Sequence, residues 1–291
     1  MNIIENIYKE LFKLGLSETN HIDLQKIRDK DGIYLFRVNY KNKYYIIKYF
    51  FKEEYKREIK NYSILKDLNI STIKVFAHTD RSILLEDLER SKNYRLGVRS
   101  DLSDIEVAKL LAEWYLDLHN KGQKYINDKC DNFYREIDII TKENIELIKY
   151  RSNTRGYKVW SIILDNYDLI FNKIEDLEKT LTYNDFYWTN LAVSNDRKKA
   201  IMFDYNLLGI GYRYSDIRNV CSSLSDEAGK VFIKEYGNIN EIEKIMDEGL
   251  SILITLIFAY KRSKFPEWAK ESLNAVFNGK LERAFKKITK Y

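Results

Sequence analysis

The hydrophobic and polar positions of this chain follow two rhythms, and the change falls near residue 90. A helical spacing over residues 3–14 predicts an opening helix. Aromatic and β-branched runs follow. Ile33-Tyr34-Leu35-Phe36-Arg37-Val38-Asn39-Tyr40 and Lys43-Tyr44-Tyr45-Ile46-Ile47-Lys48-Tyr49 predict a hairpin across Lys41-Asn42. Tyr55, Ile59, Tyr62 and Leu65 recur at three and four residues, one face of a helix over 52–68. Strand character resumes at 73–77 and 82–86, so the first part reads as a sheet with one inserted helix.

Beyond Arg90 the spacing becomes helical, with helices predicted at 103–121, 129–149, 157–180, 215–224, 226–236, 240–262 and 266–289. One β-like island interrupts them. Leu191-Ala192-Val193 and Ala200-Ile201-Met202-Phe203 form two short strands joined across the polar turn Ser194-Asn195-Asp196-Arg197. The pattern predicts an α+β protein of two lobes joined near Glu86 to Glu89, a small β-rich lobe at 1–89 and a larger, mainly helical one at 90–291. The stripe Leu250, Ile254, Ile257 and Phe258 is expected in the core. A single proline, Pro266, suits long helices.

Composition narrows the class. With 45% hydrophobic and 32% charged residues over 291 positions, the chain can bury a substantial core and is neither disordered nor fibrous. Its most apolar stretch, 250–260, is too short to span a bilayer, and the N-terminus lacks a basic segment before an apolar run, so a cytoplasmic protein without a membrane partner is expected. Cys130 and Cys221 show no C-x-x-C spacing, which predicts reduced, buried thiols rather than a disulfide or zinc site. The net charge of +5 comes from 49 basic and 44 acidic residues interspersed throughout, which argues against a nucleic-acid partner. Lys280, Arg283, Lys286, Lys287 and Lys290 surround Leu281, Phe285 and Ile288 as the solvated face of a last helix. His119 reads as a packing histidine, and His21 and His78 lack partners for a metal site.

The chemistry concentrates at the island. Tyr183-Asn184-Asp185-Phe186-Tyr187-Trp188-Thr189-Asn190 sets a carboxylate and an amide five residues apart just before a strand, and Asp204 ends the next strand. Phosphoryl transfer needs a carboxylate to accept a hydroxyl proton and oxygen ligands for magnesium at the nucleotide phosphates. Asp185, Asn190 and Asp204 are of those types. Phe186, Tyr187 and Trp188 either pack under the loop or line an acceptor pocket by cation–π contact.

These residues resemble the catalytic segment of the aminoglycoside phosphotransferase and choline kinase superfamily, H-G-D-x-x-x-x-N followed after a hairpin by a metal-binding Asp. The resemblance implies a protein-kinase-like fold, with Asp185 as general base and Asn190 and Asp204 as magnesium ligands. Gly211-Tyr212-Arg213-Tyr214-Ser215-Asp216-Ile217 is similar to the family's G-x-x-x-x-D-[LI] segment, in which Asp216 would brace the loop. Lys48 resembles the lysine that contacts nucleotide phosphates and Glu58 its ion-pair partner, with Lys43 and Glu54 as nearby alternatives. Glu86-Asp87-Leu88 resembles the linker whose backbone meets adenine, and Leu110-Leu111-Ala112 with Leu118-His119 the L-A-x-L-H helix. Two features depart from the pattern. Tyr183-Asn184 stands where the family has His-Gly, Asn being the side chain that best tolerates left-handed backbone, and the phosphate loop 29–33 has only Gly32.

The resulting expectation is an ATP- or GTP-dependent, magnesium-requiring phosphotransferase that moves the γ-phosphate to a small-molecule hydroxyl. The alternative is a kinase-fold binding protein with lost or reduced catalysis. The acceptor stays open among aminoglycoside, choline, ethanolamine, sugar, homoserine and nucleoside. Asp226, Glu227, Glu241, Glu243, Asp247 and Glu248 are the carboxylates that could gather around a polycation.

Overall fold

A computed structural model describes residues 3–16, 22–128 and 133–291; the expectations for His21 and Cys130 fall outside the described residues. Helix α1 (Ile3–Lys13) lays Ile7 and Leu11 onto a sheet, where they join Phe36, Val38, Ile47, Tyr49 and Leu84 in one apolar cluster. The sheet is built from β1 (Ile22–Lys30), β2 (Ile33–Tyr40), β3 (Lys43–Phe50), β4 (Val75–His78) and β5 (Ser82–Glu86), in the antiparallel order β1-β2-β3-β5-β4, with helix α2 (Arg57–Asp67) inserted between β3 and β4. Two tight turns set its register. Asp31 and Gly32 have φ of +57° and +90°, and Lys41 and Asn42 +52° and +61°, the left-handed pairs that match strand twist across a two-residue loop.

Strand β1 is absent from the hydrophobic pattern because it is a largely solvated edge; only Ile22 is buried and every residue from Gln25 onward is exposed. The predicted 52–68 helix begins later, as a 3-10 turn at Glu53–Tyr55 followed by α2.

After the linker come β6 (Tyr94–Leu96), α3 (Ile105–Asp128), α4 (Lys142–Arg151), α5 (Val159–Asp165) and α6 (Tyr167–Glu175). The single helix expected at 157–180 is broken at Asn166, whose Nδ2 donates to the Ile162 carbonyl at 2.8 Å, and it gives way to β7 (Thr180–Thr182). Then follow β8 (Leu191–Ser194), β9 (Ala200–Met202), β10 (Gly209–Gly211), α7 (Arg213–Cys221), α8 (Asp226–Tyr236), α9 (Glu241–Tyr260), α10 (Lys270–Phe277) and α11 (Lys280–Lys290). Gly279, at φ +73°, splits the helix expected at 266–289 into α10 and α11.

The chain divides into two compact units that interleave in sequence. The first holds Met1–Tyr125, Asp185–Leu208 and Asn219–Tyr236, with the five-stranded sheet and a second sheet of order β6-β8-β9. The second holds Ile126–Asn184, Gly209–Arg218 and Gly237–Tyr291, with the β10-β7 pair and a core around Trp160, Leu250, Leu253, Ile257 and Phe285. Leu250, Ile254 and Ile257 are buried as expected, but Phe258 is 37% exposed because it lies past the edge of the buried stripe of α9. On α11, Leu281, Phe285 and Ile288 face inward and the basic residues face solvent. Cys221 is half-buried, and burial pushes its thiol up to about 11. His119 is fully buried, its Nδ1 within 2.7 Å of the Tyr236 hydroxyl. No helix among the described residues is long and apolar enough to cross a membrane.

Candidate active site

Strand β3 is the middle strand of five, so a lysine there needs partners before it can stay charged out of water. Lys48 is 4% exposed and has two: Glu58 Oε2 at 2.6 Å and Asp204 Oδ1 at 2.8 Å. The Glu58 contact is an ion pair rather than an aligned hydrogen bond. Burial opposes the ammonium charge, yet the two carboxylates outweigh it and raise the Lys48 pKa. Glu58 is completely buried, and desolvation carries its carboxyl up to about 7 against the pull of Lys48. Lys43 and Glu54, the nearby alternatives, are both exposed.

Side chains of helix α2 also anchor the two residues that follow Asp204. Asn61 Nδ2 donates to the Tyr205 carbonyl at 2.7 Å, and Arg57 Nε donates to the Asn206 carbonyl at 2.7 Å and to its Oδ1 at 3.0 Å. Asp204 itself has φ +65° and ψ +71°, a left-handed conformation that Asp tolerates better than most residues, and its side chain is 31% exposed. Arg57 and Asn61 were not singled out from sequence. The available signal was their place beside Glu58 on one face of α2.

Asp185 precedes a 3-10 turn, Trp188–Asn190, that returns the chain to β8. Asn190 Nδ2 donates to Asp185 Oδ2 at 3.1 Å and to the Asp185 carbonyl at 3.2 Å, while the Phe203 N–H donates to the Asn190 carbonyl at 2.9 Å. Burial, then the negative charge of Asp204, push the Asp185 carboxyl up to about 6, while Asn190, Lys48 and Arg28 pull it down. Gly97 lets this loop close: a Cβ there would stand 2.5 Å from the Trp188 carbonyl oxygen, and the Gly97 N–H donates to the Leu191 carbonyl at 2.6 Å.

The residues just before Asp185 belong to the second unit. Tyr183 is fully buried, and Asn184 sits at φ +63°, the conformation in which Asn costs least. The Asp216 carboxylate accepts both backbone N–H groups, from Tyr183 at 2.7 Å and from Asn184 at 2.8 Å. Asn184 Nδ2 also donates to Thr182 Oγ1 at 2.9 Å.

A cavity of about 160 Å³ opens beside Lys48, with apolar walls from Ile27, Leu35, Ile46, Leu96 and Phe203. Glu86, Asp87 and Leu88 line it, as do Glu58 and Asp204; Asp185 does not. The Asp87 side chain is engaged elsewhere, for its buried carboxylate accepts from Arg37 Nε at 2.6 Å and Nη2 at 3.3 Å. Leu35, Arg37 and Ile46 escaped the sequence reading although they share the face of Lys48, since Leu35 pairs with Lys48 and Arg37 with Ile46 across β2 and β3.

The donor set suits magnesium. Asp204 offers a partly exposed carboxylate, and Asn190, whose Nδ2 is turned to Asp185, has its amide oxygen left for a cation. Among the described residues no three His, Cys, Asp or Glu side chains form a ready-made metal cage. Magnesium commonly takes one or two protein oxygens and completes its shell with water and phosphate.

The aromatic trio divides: Phe186 is buried, its ring 6.5 Å from that of Tyr115, whereas Tyr187 is 56% exposed. The suggested acidic gathering is consumed internally at two positions. Asp247 accepts from Tyr212 Oη and Arg218 Nε, each at 2.9 Å, and Glu243 accepts from the Tyr214 N–H at 2.8 Å. Glu248 pairs with Lys287 at 3.3 Å and Glu241 with Lys244 at 3.6 Å.

No family model matches the chain, and no curated protein matches it in sequence. Solved structures do. Choline kinase LicA from Streptococcus pneumoniae aligns over 100% of both chains at 16% identity with a TM-score of 0.63, and the same protein in complex with AMP at 0.62. A choline/ethanolamine kinase family protein from Mesorhizobium loti aligns over 100% of both chains at 11% identity and a TM-score of 0.66. The streptomycin–ATP–APH(2")-IIa ternary complex aligns over 99% of both chains at 16% identity and 0.60. Across its length, therefore, the chain has the protein-kinase-like fold of the choline kinases and aminoglycoside phosphotransferases.

Proposed function

We propose that this protein is a phosphotransferase that moves the γ-phosphate of ATP or GTP to a hydroxyl of a small molecule. The observation that carries the reading is the buried Lys48, bridging Glu58 and Asp204 at 2.6 and 2.8 Å beside an apolar cavity lined by 86–88. A structural ion pair on a sheet needs no third member with a partly exposed carboxylate. A phosphate site does. The occurrence of AMP and of ATP in solved proteins of this fold supports a nucleotide as the ligand.

In this reading Lys48, aimed by Glu58, contacts the nucleotide phosphates, and backbone groups near Asp87 and Leu88 meet the base. Asp204 and Asn190 would hold magnesium, which supplies positive charge to the phosphate oxygens. Asp185 accepts the proton of the acceptor hydroxyl. Its pKa of about 6 leaves it mostly ionised at neutral pH while making it a better base than a free aspartate. The protein would act in the cytoplasm with a nucleotide and a small acceptor as its partners. The inward turn of Asp247 and Glu243 weakens the case for a polycationic acceptor held by those carboxylates.

A second reading, nucleotide binding without transfer, rests on Tyr183-Asn184 in place of His-Gly. A panel of hydroxylated acceptors assayed for ATP and GTP consumption, run beside thermal shift with nucleotide and magnesium, separates the two. Consumption with an acceptor supports transfer. A thermal shift without turnover on any acceptor supports the second reading, and no shift at millimolar nucleotide defeats both.

A further inference from the structure

The β1–β2 pairing carries an irregularity with a chemical consequence. Lys26 pairs with Phe36, but Arg28 pairs with Leu35, so Ile27 is an extra residue in β1. Without it, strict alternation would put Arg28 on the face of Lys26 and Phe36, the side covered by α1. The bulge shifts the register by one, and residues directly opposite one another in an antiparallel pair project from the same face. Arg28 therefore shares the face of Leu35, which with Ile27 lines the cavity, and across β3 that of Lys48.

Arg28 is also uncommitted. Its neighbours Lys26 and Lys30 pair with Asp29 and Asp31 at 3.5 and 3.9 Å, whereas Arg28 makes no hydrogen bond or ion pair among the described residues. It is exposed, yet its charge acts on the carboxyl of Asp185 together with that of Lys48. The site itself is short of positive charge: Asp185, Asp204 and Glu58 face one buried lysine.

We propose that Arg28, turned to the cavity face by the β1 bulge, is a catalytic residue that grips the terminal phosphates of the nucleotide. The role rests on the phosphotransferase reading given above. A guanidinium fork matches phosphate oxygens bidentately and needs no deprotonation or metal to do so. In a loop whose only glycine is Gly32, a side chain supplies contacts that a glycine-rich backbone would otherwise make.

The test compares ATP with AMP, which share a base and ribose but differ in the phosphates that Arg28 would reach. Affinities of wild type, Arg28→Ala and Arg28→Lys are measured by calorimetry with magnesium present, alongside turnover. Arg28→Ala is expected to weaken ATP about tenfold and leave AMP within about twofold, with Arg28→Lys between the two. The thermal midpoint stays unchanged, because the side chain is exposed and has no partner to lose. Equal losses for ATP and AMP, or no loss for either with full turnover, would overturn the role of Arg28. Wild-type protein that binds neither nucleotide would instead bring down the phosphotransferase reading, and Arg28's part with it.

Discussion

Asp216 Oδ1 accepts the backbone N–H of Asn184 at 2.8 Å, and Asn184 is the residue held at φ +63° immediately before Asp185. The loop shape that a glycine would adopt freely is fixed here by a carboxylate and by an asparagine that hydrogen-bonds its own turn. Asp216→Ala strands two buried N–H groups, each costing about 1–3 kcal/mol. The variant should unfold at lower urea and lose turnover. Asn184→Gly should stay within about 1 kcal/mol of wild type, whereas Asn184→Ala should lose about 1–2 kcal/mol. Equal stability of the Gly and Ala variants would contradict the account.

Asp185→Asn keeps the shape and removes the base. Turnover is expected to fall at least about a hundredfold with nucleotide affinity unchanged. Full activity in this variant would remove Asp185 from the reaction.

Lys48→Ala leaves Glu58 buried without its counter-charge, a loss of about 3–5 kcal/mol in urea unfolding. Glu58→Gln removes a carboxyl that burial already drives up to about 7, so its cost in stability should be much smaller, while nucleotide affinity still falls because Lys48 loses its aim. Two variants of similar stability would argue against the buried triad.

The pH dependence has opposite signs for activity and stability. Asp185 works ionised, so kcat/KM should fall as pH drops through about 6. Stability runs the other way: the folded state raises this carboxyl from 3.8 to about 6 and so binds its proton more tightly than the unfolded chain. From pH 6 down to about 4, protonation of Asp185 adds stability, and Asp185→Asn should flatten that part of the thermal-midpoint profile. An acid limb near pH 4 in the wild-type rate profile would show that the site does not raise this carboxyl.

Much of the architecture could be read from the chain where one face of an element is buried. Helix α8 follows from its helical period, and the β2–β3 hairpin and the β8–β9 island from apolar runs on either side of a polar turn, although β8 and β9 are buried at every position. Strand β1 escaped because solvent faces nearly all of it, and β6 because three half-buried residues give no period. The breaks at Asn166 and Gly279 depend on one side-chain hydrogen bond and one left-handed residue inside otherwise helical stretches. At the site, Lys48, Glu58 and Asp204 were picked out by order along the chain. The distinction between Lys48 and Lys43 needed the register of β3, and the facing of Arg28 needed the bulge, neither of which alternation encodes.

The pairing of Lys48 with Asp204 spans 156 residues of sequence. At about 5–20 residues per second, a ribosome would take roughly 8–30 s to travel from one partner to the other. During that interval the N-terminal sheet can zip up locally, but its central lysine has only Glu58 for company. Nascent chains arrested before residue 204 should therefore keep the first sheet loosened around β3, and the native packing of that sheet would register the arrival of Asp204.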